Sequence, residues 1–277
     1  MFAVFPKFAS RVLAAAAILA GLSASPALAE GGESFWQGVQ KSGQLRCGAA
    51  VYAPFVMRDP TTGAYSGFFA DLCRQYADVL KVKAVFVDTT WDNIVAGLQA
   101  GKWDMSLALN RTPERALAVS FSIPAVQYEV TLAYNKNNPK VGAAPKSMAD
   151  VDKAGMTVAV TSGTVQDKAV SAVLKQAQVL RLPSEDEARL AVLSKRADLL
   201  AGGSDANQLF LQSHADTITT FAPQPALMKQ GVAFGFPHQL AYTDIEAFNI
   251  FLEQKVATGE INAMFEKSVD EVLKGIH

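Results

Sequence analysis

The chain is poor in the residues that carry most acid–base and metal chemistry. Its 277 residues hold three histidines and two cysteines. His214, His238 and His277 are scattered, and no HExxH, GxSxG or Cys–His arrangement accompanies them, so no catalytic set is legible. Cys47 and Cys73 have no His or Cys neighbours at ligand spacing, so no metal site is expected. TSGT at Thr161–Thr164 lacks the GK[ST] of a phosphate-binding loop, and no cofactor is expected. Basic residues do not exceed acidic ones, 25 against 26, which leaves no positive field for nucleic acid. Beyond the first thirty residues no apolar run is long enough to span a bilayer, and no internal repeat is visible.

What the sequence does have begins with a leader. MFAVFPKFASR carries Lys7 and Arg11 and no acid; VLAAAAILAGLSA follows uncharged, and Ala27-Leu28-Ala29 offers small residues around a cleavable bond. That layout predicts a secretory signal peptide over residues 1–29, cleaved after Ala29, and hence an exported, periplasmic protein. Removing 29 of the 277 residues leaves 248, with 23 basic and 26 acidic side chains. An even cysteine count in an exported chain suggests a disulfide between Cys47 and Cys73; two free buried thiols are the other reading.

Along the rest of the chain, strands alternate with helices. QLRCGA, KAVFVDT and DMSLAL read as strands. FFADLCRQYADVL reads as a helix with an apolar stripe of Phe69, Leu72, Cys73, Tyr76 and Leu80, and Trp91 to Ala100 as another, ending at Gly101. A polar, turn-rich stretch from Asn135 to Ser147 precedes a second series: the strand MTVAV, a helix from Val165, the strand QVLRLP, a helix capped by Ser184 with Glu187 completing a capping box, and the strand ADLLAGG. VAFGF and two terminal helices close the chain. The pattern predicts an α/β fold of two lobes. The first lobe would take residues 30–130 and 223–277, the second residues 131–222. Crossing segments near Gln127–Tyr134 and Thr217–Ala222 would form the hinge.

Several polar residues fall at the ends of these strands, where open α/β sheets bind ligands. Arg115 follows DMSLAL across a short loop, with Thr112 as cap and Pro113 at the first helical position. A cation at a helix N-terminus wants an anion partner, here Glu114, Asp71 or a bound carboxylate that arginine grips bidentately; an ordinary surface arginine is the other reading. TSGT leads from a strand into a helix, which either offers an anion site at Gly163 and Thr164 or is ordinary capping. Tyr52, Phe55, Trp91 and Tyr128 would wall such a site. Two lobes, a hinge and an anion grip on each lobe point to a clamshell that closes on a small ligand.

The strings LRCGAAVYAPF, GFFADLCRQYADVL and WDNIVAGLQAGKWDMSLALNRTPERALAVSFSIPAVQ, with TSGT and the tail GEINAMFEKSVDEVL, resemble the periplasmic solute-binding proteins of polar amino-acid ABC importers over essentially the whole chain after the leader. The resemblance implies a type II periplasmic-binding-protein fold with two crossing segments and a ligand cleft between the lobes. It implies an inner-membrane ABC permease as partner and a monomer. By the same pattern Arg115 and Thr164 match the residues that hold a ligand α-carboxylate. Asn110 and Ala108 stand where members offer hydroxyls or carbonyls, and Tyr52 and Trp91 match the enclosing aromatics. The Cys47 and Cys73 contexts look like a subgroup in which the two cysteines pair. Departures appear where members grip the α-ammonium with acids: Ala49 and Gly203 stand there, with Asp205 two residues on. The expectation is therefore an amino acid held by its carboxylate, or a small organic carboxylate without an amine on the same fold. Some members are cyclohexadienyl dehydratases that use a cleft glutamate; TSGTVQD contains none, and Glu129 lies on a crossing segment.

Overall fold

A computed structural model describes residues 33–142 and 144–275; the leader reading lies outside the described residues. The chain opens with α1 (Phe35–Ser42), started by a capping box between Ser34 and Gln37 and stopped by Gly43 in the left-handed region. Then come β1 (Gln44–Ala49), the hairpin β2 (Met57–Arg58) and β3 (Tyr65–Ser66), α2 (Phe68–Leu80), β4 (Lys83–Asp88), α3 (Ile94–Gln99), β5 (Met105–Asn110), α4 (Pro113–Ala116), β6 (Val119–Phe121) and β7 (Val126–Asn135). The second series is β8 (Thr157–Thr161), α5 (Val165–Val173), β9 (Gln178–Leu182), α6 (Glu185–Leu193), β10 (Leu199–Gly203), α7 (Ser204–Ser213) and β11 (Ile218–Phe221). β12 (Lys229–Pro237), α8 (Tyr242–Ala257) and α9 (Glu260–Gly275) complete it.

The strands join in the order β4-β1-β5-β12-β7-β10-β8-β9. Pairing is parallel between β1 and its neighbours β4 and β5, and again between β8 and its neighbours β9 and β10. The antiparallel strands β12 and β7 stand between these two parallel halves. This is the two-lobed type II periplasmic-binding-protein fold. One core gathers the buried side chains of α1, α2, β1, β5, β12 and α8, with Phe68, Phe69, Tyr76, Phe234, Phe236 and Phe248 as its aromatic centre. Two smaller cores lie on either face of β7, β8 and β10. The expected stripe of α2 is buried throughout, and its Cys73 is bonded to Cys47 of β1, so the disulfide staples that helix to the sheet.

Two sequence expectations shift. The second crossing is not Thr217–Ala222. That stretch contains β11, which pairs with the far half of β7, from Leu132 to Asn135, whereas β12 pairs with Val126–Glu129 and continues onto β5. A short apolar strand read without its partner cannot reveal which part of a neighbour it meets. The helix expected from Trp91 starts later, at Ile94, because Thr90–Asn93 closes a turn through the Asn93 N–H to the Thr90 carbonyl, 3.0 Å. That turn leaves Trp91 free to face the space between the lobes.

Candidate ligand-binding site

The parallel strands of both lobes end toward one another. β1 ends at Ala49, β5 at Asn110, β8 at Thr161 and β10 at Gly203, and the loops that follow carry the candidate residues. Between them lies a cavity lined by Tyr52, Phe55, Trp91, Ala108, Asn110, Tyr128, Thr164 and Gln166. The space remaining is about 10 Å³, the room for roughly one water. Tyr52 crosses it edge-on to Trp91, with ring centroids 6.0 Å apart. Its hydroxyl accepts hydrogen bonds from the Gly203 N–H at 2.8 Å and from Gln166 Nε2 at 2.9 Å, both across the cleft.

Arg115 forms where the sequence puts it. Thr112 caps α4 by accepting from the Arg115 N–H at 3.2 Å, and Pro113 occupies the first turn. The guanidinium is buried, 7 % exposed. It donates to the Asn110 carbonyl at 3.2 Å and to the Gly163 carbonyl of the opposite lobe at 3.4 Å. Burial pulls its pKa down, and the one charge effect on it comes from Tyr128 rather than from a carboxylate. Arg115 stands beside the cavity and lines an adjoining crevice with Trp91, Asp92, Glu114, Gly163 and Lys168. Arg111, its neighbour, is exposed.

Thr164 caps α5. Its hydroxyl donates to the Thr161 carbonyl at 2.7 Å and accepts from the Asp167 N–H at 3.3 Å. The hydroxyl is thereby satisfied, so what this helix start offers a ligand is backbone N–H groups and the positive end of the dipole. Gly163, at φ +73°, packs directly under Asp92 of the other lobe, where a Cβ would collide with the carboxylate.

Ala108 owes its place to a bulge. From Ser106 to Leu109 β5 advances three residues while β12 advances two, from Gly235 to Ala233. Ala108 takes φ +53°, a left-handed conformation that costs a non-glycine residue roughly 1–2 kcal/mol. Such strain concentrates at binding sites; here the bulge sets the end of the strand so that Ala108 and Asn110 both line the cavity.

Asp205 is not brought into the lining. It sits in the first turn of α7 with no hydrogen-bond partner among the described residues, and burial raises its carboxyl to about 6. A Cβ on Gly203 would meet the Tyr128 ring at 3.0 Å and the Tyr52 hydroxyl at 3.2 Å. Two residues beyond the sequence expectations matter. Gln166, 3 % exposed, reaches Tyr52. Glu185, 5 % exposed, accepts from the Thr161 hydroxyl at 3.0 Å and lies 3.9 Å from Arg189; burial raises its pKa. The sequence signal for Glu185 was masked by the cap beside it. Ser184 does accept from the Glu187 N–H, but the first helical residue turns inward.

The family of bacterial extracellular solute-binding proteins, family 3, matches residues 45–271. Cyclohexadienyl dehydratase of Pseudomonas aeruginosa is 26 % identical over 276 residues, covering 97 % of this chain and 96 % of that protein. A probable histidine-binding protein of Campylobacter jejuni is 26 % identical over 80 % of this chain and 84 % of its own. Among solved structures, an ancestral amino acid-binding protein, a precursor of cyclohexadienyl dehydratase, superposes with a TM-score of 0.76 at 30 % identity, covering 85 % of this chain and all of that one.

Proposed function

Since the chain belongs to family 3 of the bacterial extracellular solute-binding proteins, we propose that it is the periplasmic component of an ABC importer and captures a small carboxylate, an amino acid or an organic acid without the amine, between its lobes. Binding is what the family's description and the histidine-binding relative name, and we take that reading over the dehydratase chemistry of the Pseudomonas aeruginosa relative. In this reading residues 1–29 are the export signal. Residues 30–130 and 223–277 form one lobe and residues 131–222 the other. The protein works as a monomer that presents its closed form to an inner-membrane permease.

One observation carries the reading: Arg115 is a buried cation that forms no ion pair with a carboxylate among the described residues. Burying a guanidinium costs several kcal/mol unless an anion joins it. A ligand carboxylate supplies that anion, held by Arg115 from one lobe and by the backbone N–H groups at Gly163 and Thr164 from the other. Asn110 and Ala108 border the same space, and Tyr52 and Trp91 enclose the rest of the ligand.

The test is calorimetry on the mature protein after unfolding and refolding to strip carried-over ligand. Arg115→Ala should weaken binding of any carboxylate ligand at least about thirtyfold, since truncating one partner of a buried charge pair costs about 2–5 kcal/mol. Arg115→Lys should restore only part of it, because an ammonium lacks the planar fork. Unchanged affinity in Arg115→Ala would remove the residue from the site.

A further inference from the structure

The polar groups around the cavity are unbalanced. The Tyr52 oxygen accepts from both the Gly203 N–H and Gln166 Nε2, so its lone pairs are committed and its proton is left to donate. That proton has no acceptor among the described residues. Trp91 Nε1 and Asn110 Nδ2 are buried without a hydrogen-bond partner. Arg115 adds a cation with two of its donors on carbonyls. Against these, one fully buried side-chain oxygen on the lining residues lacks a partner, Gln166 Oε1. Among the described residues no carboxylate lines the cavity, and Asp92 and Glu114, which border the crevice beside Arg115, are exposed. The nearest buried one, Glu185, is engaged by the Thr161 hydroxyl and Arg189.

An α-ammonium brings three N–H donors and a positive charge. At this cavity it would meet the Tyr52 proton, the Trp91 and Asn110 N–H groups and the Arg115 charge, with neutral oxygens and no lining carboxylate to receive it. An acid at position 203 would not fit this arrangement, since the Gly203 N–H donates to the Tyr52 oxygen and a Cβ there would meet the Tyr128 ring at 3.0 Å and the Tyr52 hydroxyl at 3.2 Å. An oxygen at the α position reverses every sign. A carbonyl or hydroxyl oxygen accepts from Tyr52, Trp91 or Asn110, and a hydroxyl proton can go to Gln166 Oε1. A second carboxylate is disfavoured in turn, because Arg115 is the one buried cation beside the cavity among the described residues.

We propose that the ligand is an α-oxygenated monocarboxylate, a 2-oxo or 2-hydroxy acid, rather than an α-amino acid. The inference rests on the reading of Arg115 as the carboxylate grip.

Calorimetry on the stripped, mature protein separates the two ideas. Each side chain is tried as a set of three: alanine, lactate and pyruvate; leucine, its 2-hydroxy acid and its 2-oxo acid; phenylalanine, phenyllactate and phenylpyruvate. The inference expects at least one oxygenated acid to bind about tenfold or more tighter than its amino counterpart, a gap of about 1.4 kcal/mol. Equal affinity, or preference for the amino acid, overturns it. The same titrations on Arg115→Ala assign the failure. If an amino acid wins and Arg115→Ala abolishes its binding, the ligand class is wrong and the carboxylate grip stands. If an oxygenated acid wins and Arg115→Ala binds it unchanged, the grip is wrong and the ligand class stands. If no member of any set binds, both fall.

Discussion

Asp205 stands in the first turn of α7 with burial as the cause of its shifted pKa, from 3.8 to about 6. A carboxyl whose folded pKa lies above its unfolded value holds its proton more tightly in the fold. Between pH ~4 and ~6 the native state binds more protons, so stability falls as pH rises through that window. The gap corresponds to about 3 kcal/mol, which partial solvent access reduces to about 1 kcal/mol. Asp205→Asn should flatten the urea-unfolding free energy between pH 4 and 7. It should raise stability at pH 7 by about 1 kcal/mol, or about 2–4 °C in Tm for a domain of this size. An unchanged slope would assign the pH dependence to other groups. At this scale legibility varied with local grammar. Arg115 was legible because Thr112 and Pro113 fix its helix start, whose geometry the structure repeats. Gln166 and Glu185 were not: each lies within two residues of a capping residue, Thr164 or Ser184, and capping explains the local sequence without saying which way the side chains after it turn.

Among elements, the string GLQAGKWDMS owes its form to one packing event. The Trp103 indole lies between Gly48 of β1 and Gly97 of α3, and its Nε1 donates to Ser106 Oγ at 2.8 Å. Next to it Asp104 accepts from the Arg46 backbone N–H at 2.8 Å and from its guanidinium at 2.7 Å, joining β1 to the start of β5. Gly97→Ala would drive a methyl into the indole, which its hydrogen bond holds in place. Helix propensity favours alanine by about 1 kcal/mol. Overpacking costs about 1–3 kcal/mol, and with Trp103 fixed on both faces the overlap should win. Net destabilisation of about 1–2 kcal/mol in chemical denaturation is expected, and a stabilised variant would contradict this packing. The sequence made the strands and helices of both halves readable because each carries its own periodicity. It misplaced the second crossing because β11 and β12 are both short apolar runs, and only their registers against β7 tell them apart.

For the whole molecule, the cleft is bridged by few groups. Tyr52 meets Gly203 and Gln166, Arg115 meets the Gly163 carbonyl, and Ser162 Oγ lies 3.4 Å from Asp92 Oδ1. Each such bond contributes about 0.5–1.5 kcal/mol net, so these bonds together supply a few kcal/mol, beside the apolar contacts that Val165 and Ala206 make with the first lobe's core. The roughly 10 Å³ left in the cavity behind Tyr52 and Trp91 cannot admit a carboxylate with a side chain, so a ligand enters that cavity only when the lobes part. Binding followed by stopped-flow Trp fluorescence should therefore give a rate that levels off with rising ligand concentration, the plateau being the opening rate. Tyr52→Phe removes two of the interlobe hydrogen bonds, about 1–3 kcal/mol. To the extent that these bonds are lost before the opening barrier, the plateau should rise, by about fivefold to a hundredfold. A rate that stays linear in ligand concentration, with no plateau in either protein, would mean that the lobes are already apart in solution and that the Tyr52 bridge forms only as they close.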